Sequence, residues 1–525
     1  MPGILYVTMH PSPSLPPSQF HDWYNNEHGP IRLRIPSIFT NGFRYQSASD
    51  PPYMAIYDVT SMPLLETPTY TTLRANRSSR EAETISQVAV TRLFFDLLHT
   101  KQSPLFVPIE SLTDEEAQGL VTVAVEMTLT DSPGAEDEYT KWYTQEHTEL
   151  LSKVPGWLRS RFFKTSSIEN PDKKVLFMLH DYQKDNGLGG PEHTASMDTP
   201  WRTEVFDKYV ANKSRQTFSL FYVFGPGPRD LESLSQRTAD TAFTSPDKAT
   251  STTPSSISSY ITASDGTTIP YRLEGNPSPS APTIAFSNSL LTSLSMWDPL
   301  IALLKQRRPN LRILRYDFHG RHATSSPATL PTVTSDLLTL LDGLRITKLH
   351  ALVGVSMGGV TTLNFALTHP DRVGRFIAAD FNCTSSEANT QAWKERTALA
   401  REDNGQGIKK LADQTVERWF HPASMQKKEL VGWMTDIVAS NDVEGFANSN
   451  TVLWDYDLKP SLVSCKVPGL LVCGEADAKG GMVKAMTGFK DQIGKGVELR
   501  LVKETGHLPM CEDPSAFWKT IEDFL

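Results

Sequence analysis

Between residues 22 and 43 the chain carries a pattern that returns 119 positions later, between 141 and 162. Trp23, Tyr24, Glu27, His28, Pro36 and Phe43 recur as Trp142, Tyr143, Glu146, His147, Pro155 and Phe162, all in one register. Agreement in rare residue types at a fixed spacing marks a duplicated unit, and whatever topology one copy takes the other must take too. The hydrophobic pattern predicts the same run of elements around each copy. An apolar strand (4–9; 121–127) precedes a helix carrying W-Y-x-x-E-H, a proline-marked turn leads to a strand at the matched Phe, and another strand follows (54–59; 175–181). A second helix and a last strand (88–98; 217–224) complete a β-α-β-β-α-β order.

That order is the ferredoxin-like arrangement. The W-Y-x-x-E-H helix followed by a proline and an aromatic strand resembles the EthD-like branch of the dimeric α+β barrel superfamily, in which two ferredoxin-like units pack sheet to sheet. The resemblance implies an intramolecular version of that dimer, with one unit over residues 1–110 and the second over 111–228. It also implies a pocket between sheet and helices, which in some relatives carries cofactor-free chemistry and in others none. His28 and His147 therefore have two readings. Each is a general base or substrate hydrogen-bonder whose tautomer Glu27 or Glu146 sets, or each belongs to a Trp/Tyr/His face that packs on the sheet. Neighbouring residues on a helix point roughly 100° apart, so Glu27 and His28 are not expected to face one pocket. Trp23 and Trp142 are expected to be packing residues.

A chain of 525 residues is too long for one ordinary core. The composition shift that divides it lies at residues 229–259, rich in Ser and Thr and nearly free of large apolar side chains, and reads as a flexible linker before a second domain at 260–525. A net charge of −9 without a Lys/Arg block argues against nucleic acid and against an anionic membrane as partners. No apolar run approaches a membrane span, the first residues lack a secretory pattern, and Cys383, Cys465, Cys473 and Cys511 have neither metal-ligand nor disulfide-framework spacing. A cytoplasmic protein is expected, with self-association left open.

After the linker, strands alternate with helical patterns, the signature of a doubly wound, mostly parallel sheet. Within it, residues 349–369 read as strand, sharp turn and helix, with Ser356 at the turn between Gly354 and Gly358. A serine on such a turn projects above the sheet edge, and small flanking residues are required where the backbones crowd. Its hydroxyl needs an imidazole to take its proton, and the imidazole needs a carboxylate behind it. Downstream, Asp477 follows the strand L-L-V-C-G and His507 follows L-V-K-E-T-G, which brings both to the edge where Ser356 sits; Glu475 is the second choice of acid. For an oxyanion the backbone N–H of Met357 is one expected donor and that of Leu290, in the loop S-N-S-L, the other, with the side chains of Asn288 and Ser289 as candidate anchors. Residues 385–458, helical and aromatic-rich, have the character of a lid.

Several of these strings, S-N-S-L, M-W-D-P, G-V-S-M-G-G and G-H-L-P-M-C-E-D-P among them, resemble 3-oxoadipate enol-lactonase, a family of the α/β-hydrolase fold, over nearly all of residues 260–525. The resemblance implies serine attack on a lactone or enol-lactone carbonyl through Ser356, Asp477 and His507, without metal or organic cofactor. It also implies substrate contacts from Asn288, Trp393, Arg396 and Trp419, with Arg396 gripping a substrate carboxylate. Leu291 departs from the pattern, standing where the family continues with Gly. The first half of the chain is outside that pattern altogether. It stands either as a second catalyst that isomerises, cyclises or decarboxylates a ring compound, or as an oligomerisation or binding module.

Overall fold

The computed structural model describes residues 1–168, 175–236, 243–244, 251–253, 256–322, 326–494 and 496–525. They fall into two compact units, Met1–Pro228 with Thr244–Lys248, and Arg229–Phe243 with Ala249–Leu525.

The first unit is built on eight strands. Four come from the first copy, β1 (Gly3–Pro11), β2 (Phe43–Gln46), β3 (Tyr53–Val59) and β4 (Val88–Gln102), and four from the second, β5 (Val121–Leu129), β6 (Trp157–Thr165), β7 (Leu176–Tyr182) and β8 (Val210–Val223). They close into an antiparallel barrel in the order β1-β3-β2-β8-β5-β7-β6-β4. The order β4-β1-β3-β2 thus recurs as β8-β5-β7-β6. Strands β4 and β8 are longer than the sequence pattern suggests, because their extra residues are mostly polar (His99, Lys101, Gln102; Asn212 to Arg215). That length closes the barrel: β4 pairs first with β1 and then with β6, and β8 first with β5 and then with β2.

Period-two alternation sends successive side chains to opposite faces of each strand. Ile4 and Tyr6 join Phe43, Tyr45, Phe163 and Phe177 in a core to which both copies contribute, while Leu5, Val7 and Met9 pack with the helices of the first copy. The register corrects one sequence match. Phe43 belongs to the shared core, but Phe162 stacks on Tyr143 in the layer under the second copy's helices. On strand β2 the residue in that outer position is Arg44, whose guanidinium lies 4.4 Å from the Tyr24 ring. In both copies the W-Y-x-x-E-H helix widens to a π-helical turn, Tyr24–His28 and Tyr143–His147, closed by Gly29 N–H donating to Tyr24 O and Thr148 N–H to Tyr143 O. Such turns disturb the 100° step between neighbours, and both Glu27 and His28 are buried.

The second unit is a ten-stranded sheet. Two short strands, β9 (Phe243–Thr244) and β10 (Ser251–Thr253), lie at one edge, followed by the hairpin β11 (Ser256–Thr262) and β12 (Thr268–Gly275). Strand β12 pairs antiparallel with β14 (Arg312–Tyr316), and from there the sheet runs parallel through β13 (Thr283–Ser287), β15 (Ala351–Val355), β16 (Phe376–Ala379), β17 (Gly469–Gly474) and β18 (Glu498–Val502). The central parallel strands are buried along their length, as strands covered on both faces must be. Between β16 and β17 the chain leaves the sheet for four helices, Glu387–Arg401, Gly407–Trp419, Lys428–Ala439 and Val443–Ser449.

The linker expectation is corrected at both its ends. Asp230 caps a short helix, Leu231–Ser235, by accepting from the N–H groups of Glu232 and Ser233, and Leu231 and Leu234 are buried in the core of the second unit. At the other end β11 begins at Ser256, and Ile257 is fully buried. Two leucines and an isoleucine suffice to anchor a stretch whose average composition is polar. Residues 237–242, 245–250 and 254–255 lie outside the described residues. Among the described residues no helix is long and apolar enough to cross a membrane.

Candidate active site

Strand β15 ends at Val355, and the helix Met357–Thr368 begins two residues later, so the chain reverses within Ser356. Ser356 has φ 57° and ψ −119°, a conformation that side chains rarely adopt and that the surrounding packing must hold. The two glycines are needed by contact. A Cβ on Gly354 would stand 2.1 Å from the Gly358 carbonyl oxygen, and one on Gly358 would stand 2.0 Å from that of Ser287.

Ser356 opens into a cavity of about 340 Å³ that Asp477 and His507 also line. His507 Nδ1 donates to Asp477 Oδ2 at 2.9 Å, and both side chains are largely buried. Asp477 lies three residues past the end of β17, at the start of a turn whose next two residues have positive φ. His507 is placed from several sides. Its N–H donates to Trp419 O at 2.6 Å and its ring stacks on Trp419. The buried Glu512 accepts from the N–H of Gly506 and from that of His421, tying the histidine loop to the segment after Trp419. Glu475, the second choice of acid, is exposed and does not line the cavity.

Leu290 lines the cavity beside Ser289. Met357 opens the helix after Ser356, and the first N–H groups of a helix have no internal acceptor. Asn288 is a correction: its side chain does not line the cavity. It donates to Tyr316 O at 2.8 Å and accepts from Trp297 Nε1 at 2.8 Å, so it fixes the loop and is not free for a ligand. Leu291 has φ 68°, which accounts for a glycine being the easier residue there.

The far wall comes from the inserted helices, with Trp393, Arg396, Arg418 and Trp419. The Arg396 guanidinium lies 4.4 Å from the Trp393 ring centre. Arg396 and Arg418 make no ion pair among the described residues. Burial lowers both, and with Arg396 nearby Arg418 is pushed down to about 10. The Arg396 guanidinium beside it thus adds to burial in disfavouring the charged form of Arg418.

The lining also includes residues that the sequence does not single out, Asp380 among them. Asp380, just after β16 with φ 47°, is fully buried, and one of its oxygens accepts from Gly474 N–H at 2.8 Å. Burial, and then the neighbouring Asp477, raise its carboxyl well above the usual range and hold it neutral. Asp380, Cys473 and Asp477 bring donor atoms within 4.8 Å of one another. Burial also raises the Cys473 thiol, and Asp477 is engaged with His507, so this is a proton-holding cluster and not a set of ready metal ligands.

The two histidines of the duplicated helix have different surroundings. His28 Nδ1 donates to Glu81 at 2.8 Å beside a cavity of about 50 Å³, room for a few waters. His147 lines a cavity of about 440 Å³ and faces His180 edge to face at 6.2 Å. Trp142, expected to be packing alone, is buried and lines that cavity as well.

Residues 290–520 match the model described as the alpha/beta hydrolase family, and the chain belongs to that family. Within it, the chain is similar to two 3-oxoadipate enol-lactonases of Acinetobacter baylyi. It is 31% identical to 3-oxoadipate enol-lactonase 2 over 245 residues, 46% of this chain and 87% of the relative. With 3-oxoadipate enol-lactonase 1 it shares 30% over 273 residues, 50% of this chain and 96% of the relative. A solved enol-lactonase from Burkholderia xenovorans LB400 is 32% identical, with a TM-score of 0.45, and the match covers 50% of this chain and 98% of that one.

Proposed function

We propose that the second unit hydrolyses a small lactone, enol-lactone or ester that carries a carboxylate, through Ser356, His507 and Asp477. The observation that carries this reading is one cavity shared by Ser356, the hydrogen-bonded His507–Asp477 pair and two unpaired arginines. The similarity to enol-lactonases supports the same chemistry.

In this mechanism the second nitrogen of His507 takes the Ser356 proton as Oγ attacks the carbonyl carbon, and Asp477 stabilises the imidazolium. The developing oxyanion is held by the N–H groups of Leu290 and Met357. Collapse of the tetrahedral intermediate breaks the bond to the ring oxygen, which receives the proton from His507. For an enol-lactone the released enol becomes a ketone, so ring opening is difficult to reverse. Water, deprotonated by His507, then attacks the acyl-enzyme and frees Ser356. Arg396 and Arg418 hold the substrate carboxylate, with Trp393 and Trp419 as walls.

The test is Ser356→Ala, assayed on a p-nitrophenyl ester and on an enol-lactone. Turnover is expected to fall by on the order of 10⁴-fold or more. Activity within tenfold of the unsubstituted protein would exclude Ser356 as the nucleophile.

A further inference from the structure

The barrel carries the same helix twice, and among the described residues the cavity beside His28 measures about 50 Å³ and that beside His147 about 440 Å³. Register identifies the cause. In the first copy Leu5 pairs with Tyr57, and in the second Val123 pairs with His180, so Tyr57 and His180 occupy corresponding places. Tyr57 stacks on Phe224, and the Arg32 guanidinium lies 5.5 Å from its ring. The residue corresponding to Arg32 in the duplicated register is Leu151. With a tyrosine and an arginine exchanged for a histidine and a leucine, the second copy loses the side chains that fill the first. The layer under its helices correspondingly divides into two apolar clusters, one with Tyr139 and Trp142 and one with Leu151 and Tyr182, and the cavity lies between them.

The lining is chemically one-sided. Val123, Met178, Trp142 and Tyr182 give it an apolar, aromatic body. Arg202 is half-buried at its wall, and Lys213 and Arg215 are exposed at its edge. Among the described residues no Asp or Glu lines the cavity, and none of these three cations is in an ion pair. His147 Nδ1 is buried without a hydrogen-bond partner, and His180 Nδ1 is engaged with Ser160 Oγ at 2.8 Å.

We propose that this cavity is a second small-molecule site, independent of Ser356, that binds a planar apolar anion such as an aromatic carboxylate. Its ring lies among Trp142, Tyr182 and Met178, and its charge meets Arg202 and Arg215. Burial, joined by His180 for His147 and by Arg215 for His180, holds each imidazole down to about 3. Burial thus keeps both rings neutral, and the site serves binding before proton transfer.

Photolabelling of the full chain with benzophenone-4-carboxylate, followed by peptide mapping, tests this. Saturable labelling is expected in residues 175–215, where Met178 and Met197 line the cavity. It should be displaced by 2-naphthoate at a concentration at least ~10-fold lower than by the neutral 2-naphthamide. His180→Tyr and Arg202→Leu should each reduce labelling about tenfold or more while ester hydrolysis is unchanged. Labelling confined to segments outside residues 123–151 and 175–215, or equal displacement by naphthoate and naphthamide on the unsubstituted protein, would overturn the proposal whether or not the variants fold.

Discussion

The cavity at Ser356 and the cavity beside His147 are alike in size, about 340 and 440 Å³, and both set arginines near an imidazole. They differ in what stands behind that imidazole. His507 has Asp477 at 2.9 Å, while His147 has a second imidazole across from it and no carboxylate in the lining. His28 is the converse, with Glu81 at 2.8 Å and almost no space beside it. A histidine serves as a proton carrier where a carboxylate and a substrate-sized space coincide, and of these three only His507 has both. The ring alone, and even the motif around the ring, does not decide it.

The sharpest way to break this comparison is to remove the carboxylate. Asp477→Asn is expected to lower kcat on a p-nitrophenyl ester by on the order of 10⁴-fold, while leaving benzophenone-4-carboxylate labelling of residues 175–215 intact. Steady-state kinetics showing a loss below tenfold would mean that the two imidazoles differ for another reason. Next comes the role of the arginines. Arg396→Leu should raise KM for a carboxylate-bearing lactone roughly 10- to 100-fold, the value of one or two charge-assisted hydrogen bonds, with little change for a neutral ester. Equal effects on both substrates would make Arg396 a packing residue.

A smaller effect separates the cavities by pH. The folded-state pKa of His147 and of His180 lies near 3, below the unfolded value of 6.5. From pH 6.5 down to about 3 the unfolded chain binds protons that the folded barrel refuses, so stability falls as pH falls through that window and is independent of these groups above it. His180→Phe should flatten the decline in barrel stability by on the order of 1 kcal/mol per pH unit between pH 6 and 4. Urea midpoints that keep the original slope would show that His180 is not held neutral. The smallest effect is expected at Asp380. Because its carboxyl is held neutral, Asp380→Asn should change kcat/KM by no more than about threefold, and a large loss would assign it a charged role beside Asp477.

Much of this was legible in the chain because it is local or duplicated. The turn at Ser356 needs only its two glycines and the change of hydrophobic period, and Asp477 and His507 each lie within five residues of a strand's end. The copy number of the barrel unit is written in the repeat itself. What escaped depends on pairing between distant strands. His180 lies in a fully buried strand with no motif, and its correspondence to Tyr57 exists only through the registers with Leu5 and Val123. The same one-residue shift moved Phe162 away from the place of Phe43. Asp380 follows an unremarkable apolar strand, and only the approach of β17 makes it a neighbour of Asp477. The enol-lactonase resemblance implies a substrate contact at Asn288, whereas its amide is spent on Tyr316 and Trp297.

The barrel's closure from two copies within one chain carries a further consequence. In a ring assembled from two identical molecules, every substitution is made twice and each half must tolerate it in both settings. Here Tyr57 and His180 sit in corresponding places under separate inheritance, so one half can keep the solid interior that sustains the ring while the other is hollowed out. Joining the halves also makes assembly a first-order event, indifferent to dilution. The covalent tie therefore supplies two freedoms at once, a partner that is always present and a licence to become asymmetric.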